Sequence, residues 1–84
     1  MAKRTERRQI CIEVDIEFSR EDDGRWIAEA VPDNPLVPWT AAYGATREEA
    51  IRNATAIIYE GILGGIRDGS LQGEPVDVHF REAA

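Results

Sequence analysis

The sequence predicts an α+β fold of two layers, in which one helix covers one face of a mixed four-stranded β-sheet. Two kinds of periodicity predict this fold: short segments alternate between apolar and polar residues, and one longer segment repeats its apolar residues at helical spacing. A chain of 84 residues has room for a single domain. Three strands precede the helix and one follows it, so the predicted element order is β-β-β-α-β.

The first two strands form the clearest predicted unit. Apolar and polar residues alternate over residues 10–18, which is the pattern of a strand with one buried face. An Asp23-Gly24 step then suits the positive φ of a hairpin turn. The second strand is predicted for residues 26–31, with Ala28 and Ala30 on the core side, where small side chains let a helix approach the sheet closely.

A third strand is predicted from about Val37 to Tyr43. Pro38 cannot donate a hydrogen bond to a neighbouring strand, so this strand should lie at an edge of the sheet. Gly44 should end it.

Thr46 and Glu49 predict the start of the helix, because their spacing is that of a capping box. Apolar residues then recur at helical spacing, and Gly69 is the predicted end. Alternation over residues 76–81 predicts the final strand. A right-handed crossover places that strand beside the first and parallel to it, which gives the sheet order 3-2-1-4.

Composition excludes several classes of protein. One cysteine rules out a disulfide framework within the chain, and one cysteine with one histidine argues against a zinc site. No apolar run approaches the ~18 residues of a membrane span, and no signal-peptide core follows the basic start. We therefore expect a cytoplasmic protein with no membrane contact and no cofactor.

Charge divides the chain into a basic, flexible N-terminus, residues 1–8, and a single domain, residues 9–81. The first segment carries a formal charge of +3 and the rest −9, within a total of −6. An acidic body repels phosphate, so we expect contact with nucleic acid only through the basic N-terminus.

Three segments, taken in order, resemble the HicB antitoxin family. An acidic-glycine turn followed by an aromatic and small apolar residues occupies residues 22–29, and a proline-bounded turn occupies residues 32–35. The most recognisable segment is Gly-x-Thr-x-Glu-Glu-Ala-x-x-Asn-Ala, at residues 44–54. The resemblance spans roughly residues 12–80.

The resemblance implies a partial ribonuclease H-like fold, whose strand order matches the one predicted above. It also implies a function without catalysis, because HicB proteins neutralise HicA, a small basic toxin that cleaves mRNA. Many members of the family add a C-terminal DNA-binding domain. Only Arg81 to Ala84 remain at the end of the last predicted strand, so we expect no such domain here.

Four carboxylates are the main candidate partner-binding residues. Glu13, Asp15 and Glu17 share one face of the first strand, and Glu29 is expected across from them. Such an acidic surface suits a basic toxin, because complementary charge speeds association. The alternative is a solvated outer face with no partner.

Two aromatic residues on the predicted edge strand, Trp39 and Tyr43, complete the candidate site. Tryptophan and tyrosine are enriched among the residues that dominate binding energy. In the alternative interpretation, they cover the end of a thin core.

A metal-dependent nuclease is the least favoured hypothesis. Metal sites of that kind need carboxylates that converge from several elements, whereas here they follow one another on one strand. His79 has Asp77 as its neighbour on the same face, which favours a simple ion pair, and Cys11 has no basic neighbour in sequence. We therefore predict no catalytic and no metal-binding residues.

A homodimer or larger homo-oligomer is the expected assembly, because the core is small and the predicted third strand leaves an edge uncovered. The glycine-rich end of the helix would allow two helices to approach. The alternative function is thus an orphan homo-oligomeric domain, structural or ligand-binding, without a toxin partner.

Overall fold

The computed structural model describes residues 9–71 and 75–82, so the predicted basic N-terminus lies outside the described residues. The elements are β1 (Ile10–Arg20), β2 (Trp26–Pro32), β3 (Thr40–Gly44), α1 (Arg47–Asp68) and β4 (Val76–Glu82). The sheet order is β3-β2-β1-β4, as predicted. β1 pairs antiparallel with β2 and parallel with β4, while β2 pairs antiparallel with β3.

The hairpin between β1 and β2 closes as its sequence predicts. Gly24 adopts a φ of 91°, and its amide donates to the carbonyl of Glu21 at 2.9 Å. The amide of Glu21 in turn donates to the carbonyl of Arg25 at 2.7 Å. A residue with a side chain rarely adopts this φ, so glycine is the residue this turn requires.

The third strand is shorter than predicted, because it begins at Thr40 rather than near Val37. The preceding residues form a turn in which the amide of Val37 donates to the carbonyl of Asn34 at 3.0 Å. Val37 is buried in the core, and Pro38 has no amide with which to extend the ladder. Trp39 therefore lies in the link before β3, and Gly44 is the last residue of the strand.

Helix α1 begins with the predicted capping arrangement. The Thr46 hydroxyl accepts the amide of Glu49 at 3.1 Å, and Glu49 Oε1 accepts the amide of Ala45 at 2.6 Å. Both bonds satisfy amides that have no partner within the helix. At the other end Gly69 takes a left-handed conformation with a φ of 87°, which ends the helix where predicted.

The core lies between α1 and one face of the sheet, and small side chains line the centre of both layers. α1 packs most closely on β2 and β3, where the sheet presents alanines rather than large side chains. The larger aliphatic residues of β1 fill the space beside them. The buried residues are Ile12, Val14, Ile16, Ala28, Ala30, Val37, Ala42, Ala50, Ala54, Ile58, Ile62 and Leu71.

Gly44 marks the closest approach between the sheet and the helix. A Cβ atom at this position would collide with the backbone nitrogen of Ala50 and lie 2.8 Å from the carbonyl carbon of Glu49. Backbone atoms of a capped helix cannot move aside cheaply. The glycine is required here by space and not by its φ.

We predict that Gly44→Ala lowers the free energy of unfolding by about 1–3 kcal/mol, the usual cost of overpacking. Gly64→Ala is the matched control, because a Cβ at this exposed helical position meets nothing within 4 Å. It should raise stability by about 0.5–1 kcal/mol through helix propensity. Urea denaturation followed by circular dichroism measures both, and equal effects would contradict the close approach at Gly44.

Candidate partner-binding site

The face of the sheet opposite α1 is here called the open face. In the described part of the chain, no helix or strand lies on it. Strand alternation places on it the side chains of Cys11, Glu13, Asp15, Glu17, Ser19, Ile27, Glu29, Val31, Ala41, Tyr43, Asp77, His79 and Arg81. The four carboxylates predicted to bind a partner therefore share one surface.

Arg81 divides the acidic residues of the open face into two groups. The parallel register places it opposite Asp15, whose Oδ1 lies 2.8 Å from Nη2 and 2.9 Å from Nε. Its Nη1 is 3.7 Å from Glu13 Oε1. The guanidinium thus offsets one of the negative charges at the β4 side of the open face.

Glu17 and Glu29 form the second group, and they lie directly opposite each other on β1 and β2. Both are exposed, and within residues 9–71 and 75–82 neither forms an ion pair or a side-chain hydrogen bond. Two like charges in this cross-strand position are destabilising. Glu17 and Glu29 are therefore the two carboxylates of the open face that have no side-chain partner among the described residues.

Apolar residues flank the Glu17–Glu29 pair along β2. Val31 lies opposite Asp15 on one side, and Ile27 lies opposite Ser19 on the other. Val31 is about half exposed. A lysine or arginine that reaches the two carboxylates would lay its aliphatic stem on such side chains.

Arg25 covers Tyr43 at the opposite corner of the open face. Its guanidinium carbon lies 4.4 Å from the centre of the tyrosine ring, a cation–π distance. Asp23 holds it there: the Arg25 amide donates to Asp23 Oδ1 at 3.1 Å, and Nε donates to Oδ2 at 2.8 Å. These hydrogen bonds, the amide's foremost, hold the pKa of Asp23 below its ordinary value.

Trp39 and Tyr43 do not form the pair on one strand that the sequence predicts. Trp39 precedes β3 and is 63% exposed, while Tyr43 lies within β3 and beneath a cation. A basic partner would meet Arg25 before it met Tyr43. Trp39 is the more accessible of the two aromatic residues.

The remaining polar side chains of the open face lie near the start of β4. His79 Nε2 is 3.4 Å from Asp77 Oδ2, which is the ion-pair geometry predicted for these neighbours. Gln9 Nε2 donates to the same Asp77 oxygen at 3.3 Å, and Cys11 is exposed with a free thiol. Across the described residues, no group of three or more His, Cys, Asp or Glu side chains is placed to hold a metal ion.

A second surface, which we name the apolar groove, lies on the helix side of the sheet, between the C-terminal half of α1 and β4. It has a volume of about 300 Å³ and is lined by Tyr59, Ile62, Leu63, Ile66, Val76 and Val78. This groove was not predicted from the sequence. Its signal was present in Tyr59, Leu63 and Ile66, which follow i, i+4, i+7 spacing beside the buried stripe of the helix.

No helix in the described ranges is long and apolar enough to cross a membrane.

Comparisons with known proteins identify no family for this chain: no family model matches it, and no curated protein or solved structure shows significant similarity. Function is therefore inferred from the residues and the geometry above.

The Glu17–Glu29 repulsion is testable in the isolated protein. Glu17→Lys should raise the free energy of unfolding by about 0.2–1 kcal/mol, because it converts a like-charge pair into an opposite-charge pair. Glu29→Lys should do the same, whereas the double variant restores like charges and should lose both gains. Urea denaturation at low and high salt measures this cycle, and the coupling should shrink as salt screens it. Additive effects would show that the two carboxylates do not interact.

Proposed function

We propose that the protein is a HicB-like antitoxin, or a binding module derived from one, that neutralises a small basic HicA-type ribonuclease in the cytoplasm by protein–protein binding. The observation that carries the proposal is the exposed Glu17–Glu29 pair on an otherwise unoccupied sheet face. The strand order is also the one that the sequence resemblance implies. In this proposal the protein acts by covering the toxin and not by catalysis.

The most family-like segment is accounted for by folding. Gly44 permits the close approach, Thr46 and Glu49 cap the helix, and Ala50 is buried against the sheet. Asn53 Nδ2 donates to the carbonyl of Tyr43 at 2.9 Å, which ties α1 to the end of β3. These residues support a shared fold, so a partner-binding surface has to be sought elsewhere on the molecule.

The open face meets the electrostatic needs of a basic partner. Arg81 already contacts Asp15 and Glu13, whereas Glu17 and Glu29 have no partner among the described residues, so an incoming cation there relieves a repulsion present in the free protein. Complementary charge raises the association rate by steering the encounter. Trp39, largely exposed at the margin of the sheet, is the proposed apolar anchor.

The proposed function is tested by identifying the adjacent gene and assaying its product with this protein. The proposal expects an adjacent reading frame that encodes a basic protein of about sixty residues with one histidine. Co-expression should yield a stable complex, and the purified protein should stop that partner from cleaving RNA. A partner-free locus, or unchanged RNA cleavage in the presence of excess protein, would overturn the antitoxin proposal and favour the orphan homo-oligomeric domain.

The binding surface is tested by charge reversal. The Glu17→Lys/Glu29→Lys double variant should slow association with the toxin at least tenfold at low salt, because it replaces attraction by repulsion where the free carboxylates lie. Asp22→Lys/Glu60→Lys is the matched control, because it changes the net charge equally at exposed positions off the open face. Surface plasmon resonance measures both rates. Equal slowing by both double variants would mean that only net charge matters and would exclude the open face as the site.

A further inference from the structure

We propose that two copies of the chain associate through β4, in an antiparallel register centred on His79, and so form one continuous eight-stranded sheet. The proposal concerns an edge and a groove that the antitoxin function does not use. It also moves the predicted homodimer contact from β3 to β4.

The outer edge of β4 is suited to pairing with another strand. The amide of Ile10 donates to the carbonyl of Pro75 at 3.0 Å, so backbone groups of odd-numbered residues in this segment point toward β1. Strand alternation then directs those of Val76, Val78 and Phe80 outward. β4 is seven residues long and contains no proline, whereas β3 has five residues and follows Pro38. Proline and short length are features that protect an edge from pairing, so β4 is the less protected of the two.

Charge complementarity selects a second copy of β4 as the occupant. In the register centred on His79, all seven residues of the strand overlap with their counterparts. Asp77 then lies opposite Arg81 of the second copy, and the two-fold symmetry produces this pair twice on the open face. A register centred on Val78 pairs Asp77 with His79, and one centred on Phe80 pairs His79 with Arg81. Only the central register combines full overlap with opposite charges.

The contacts that Arg81 and Asp77 already make are compatible with this pairing. Arg81 lies between Asp15 and Glu13, but a guanidinium has five N–H donors and accommodates a further carboxylate. Asp77 contacts His79 and the side-chain amide of Gln9 within its own chain. In the dimer, Arg81 would therefore be surrounded by acidic groups from both copies.

In the same arrangement, the second copy of the chain covers part of the apolar groove. A two-fold axis perpendicular to the sheet keeps both helices on one side, so the exposed sides of the two α1 helices face each other across the paired β4 strands. Tyr59, Leu63 and Ile66 are each about half exposed in the single chain. Val78 of one copy lies opposite Phe80 of the other on this side of the sheet. The pairing therefore continues the core across the junction.

Sedimentation velocity on the full chain tests the dimer. The wild-type protein should be dimeric at high micromolar concentration. Asp77→Arg and Arg81→Asp should each raise the dissociation constant at least tenfold, because each places two pairs of like charges across the junction. An equimolar mixture of the two variants should recover association, because every cross-strand pair between unlike chains again has opposite charges.

Asp22→Arg and Arg52→Asp are the matched controls, because they make the same charge changes at exposed positions away from β4. Both should dimerise like the wild type, and urea denaturation confirms that Arg81→Asp stays folded without its bonds to Asp15. A wild-type chain that is monomeric at high micromolar concentration would overturn the proposal. It would do so even if β4 were found to pair with a strand of another protein. Unaffected single variants, or a mixture that stays monomeric, would overturn the register. Toxin binding is measured separately, so failure of the dimer leaves the proposed function standing.

Discussion

The close packing of one helix on a sheet lined with alanines is the constraint on which the rest of the structure depends. Ala28 and Ala30 on β2 and Ala42 on β3 present almost no side-chain bulk, and Ala50 and Ala54 present as little from the helix. The two backbones therefore approach so closely that only glycine is accommodated at position 44. This close contact fixes the helix over β2 and β3 and not over the middle of the four-stranded sheet.

Because α1 lies nearest β2 and β3, the two faces of the sheet and its two edges have different surroundings. The large aliphatic side chains of β1 complete the core, but the inner face of β4 is only partly covered and borders the apolar groove. The opposite face carries most of the charged side chains of the strands, with Ile27, Val31 and Tyr43 among them. A fold with a single covering layer thus produces one acidic surface and one apolar surface, on opposite sides of the sheet.

Periodicity predicted the element order, and the capping box and Gly69 predicted both ends of the helix, because these signals are local in sequence. The sheet order followed from the element order and the right-handedness of crossover connections. The start of β3 was missed because Val37 is apolar and buried, as a strand residue would be, yet its amide is engaged in a turn. The contact of Arg81 with Asp15 was missed for another reason. It depends on the relative register of β1 and β4, which the alternation within either strand does not specify.

The same limit applied to the candidate site. Strand parity alone brought Glu13, Asp15, Glu17 and Glu29 onto one face, as predicted. Strand parity does not show which of these carboxylates has a positively charged side chain beside it. That distinction depends on Arg81, which lies far away in sequence and belongs to the neighbouring strand.

The arginines of the described chain explain why the Glu17–Glu29 pair stays uncompensated. Arg20 lies over the ring of Trp26, Arg25 is held by Asp23, Arg47 contacts Glu82 and Phe18, and Arg81 is bound to Asp15. Each arginine beside the sheet is thus engaged with another group. A cross-strand repulsion of a few tenths of a kcal/mol is small enough for the fold to carry. A single lysine or arginine on either strand would remove it, and under the proposed function the compensating charge is supplied by the basic partner.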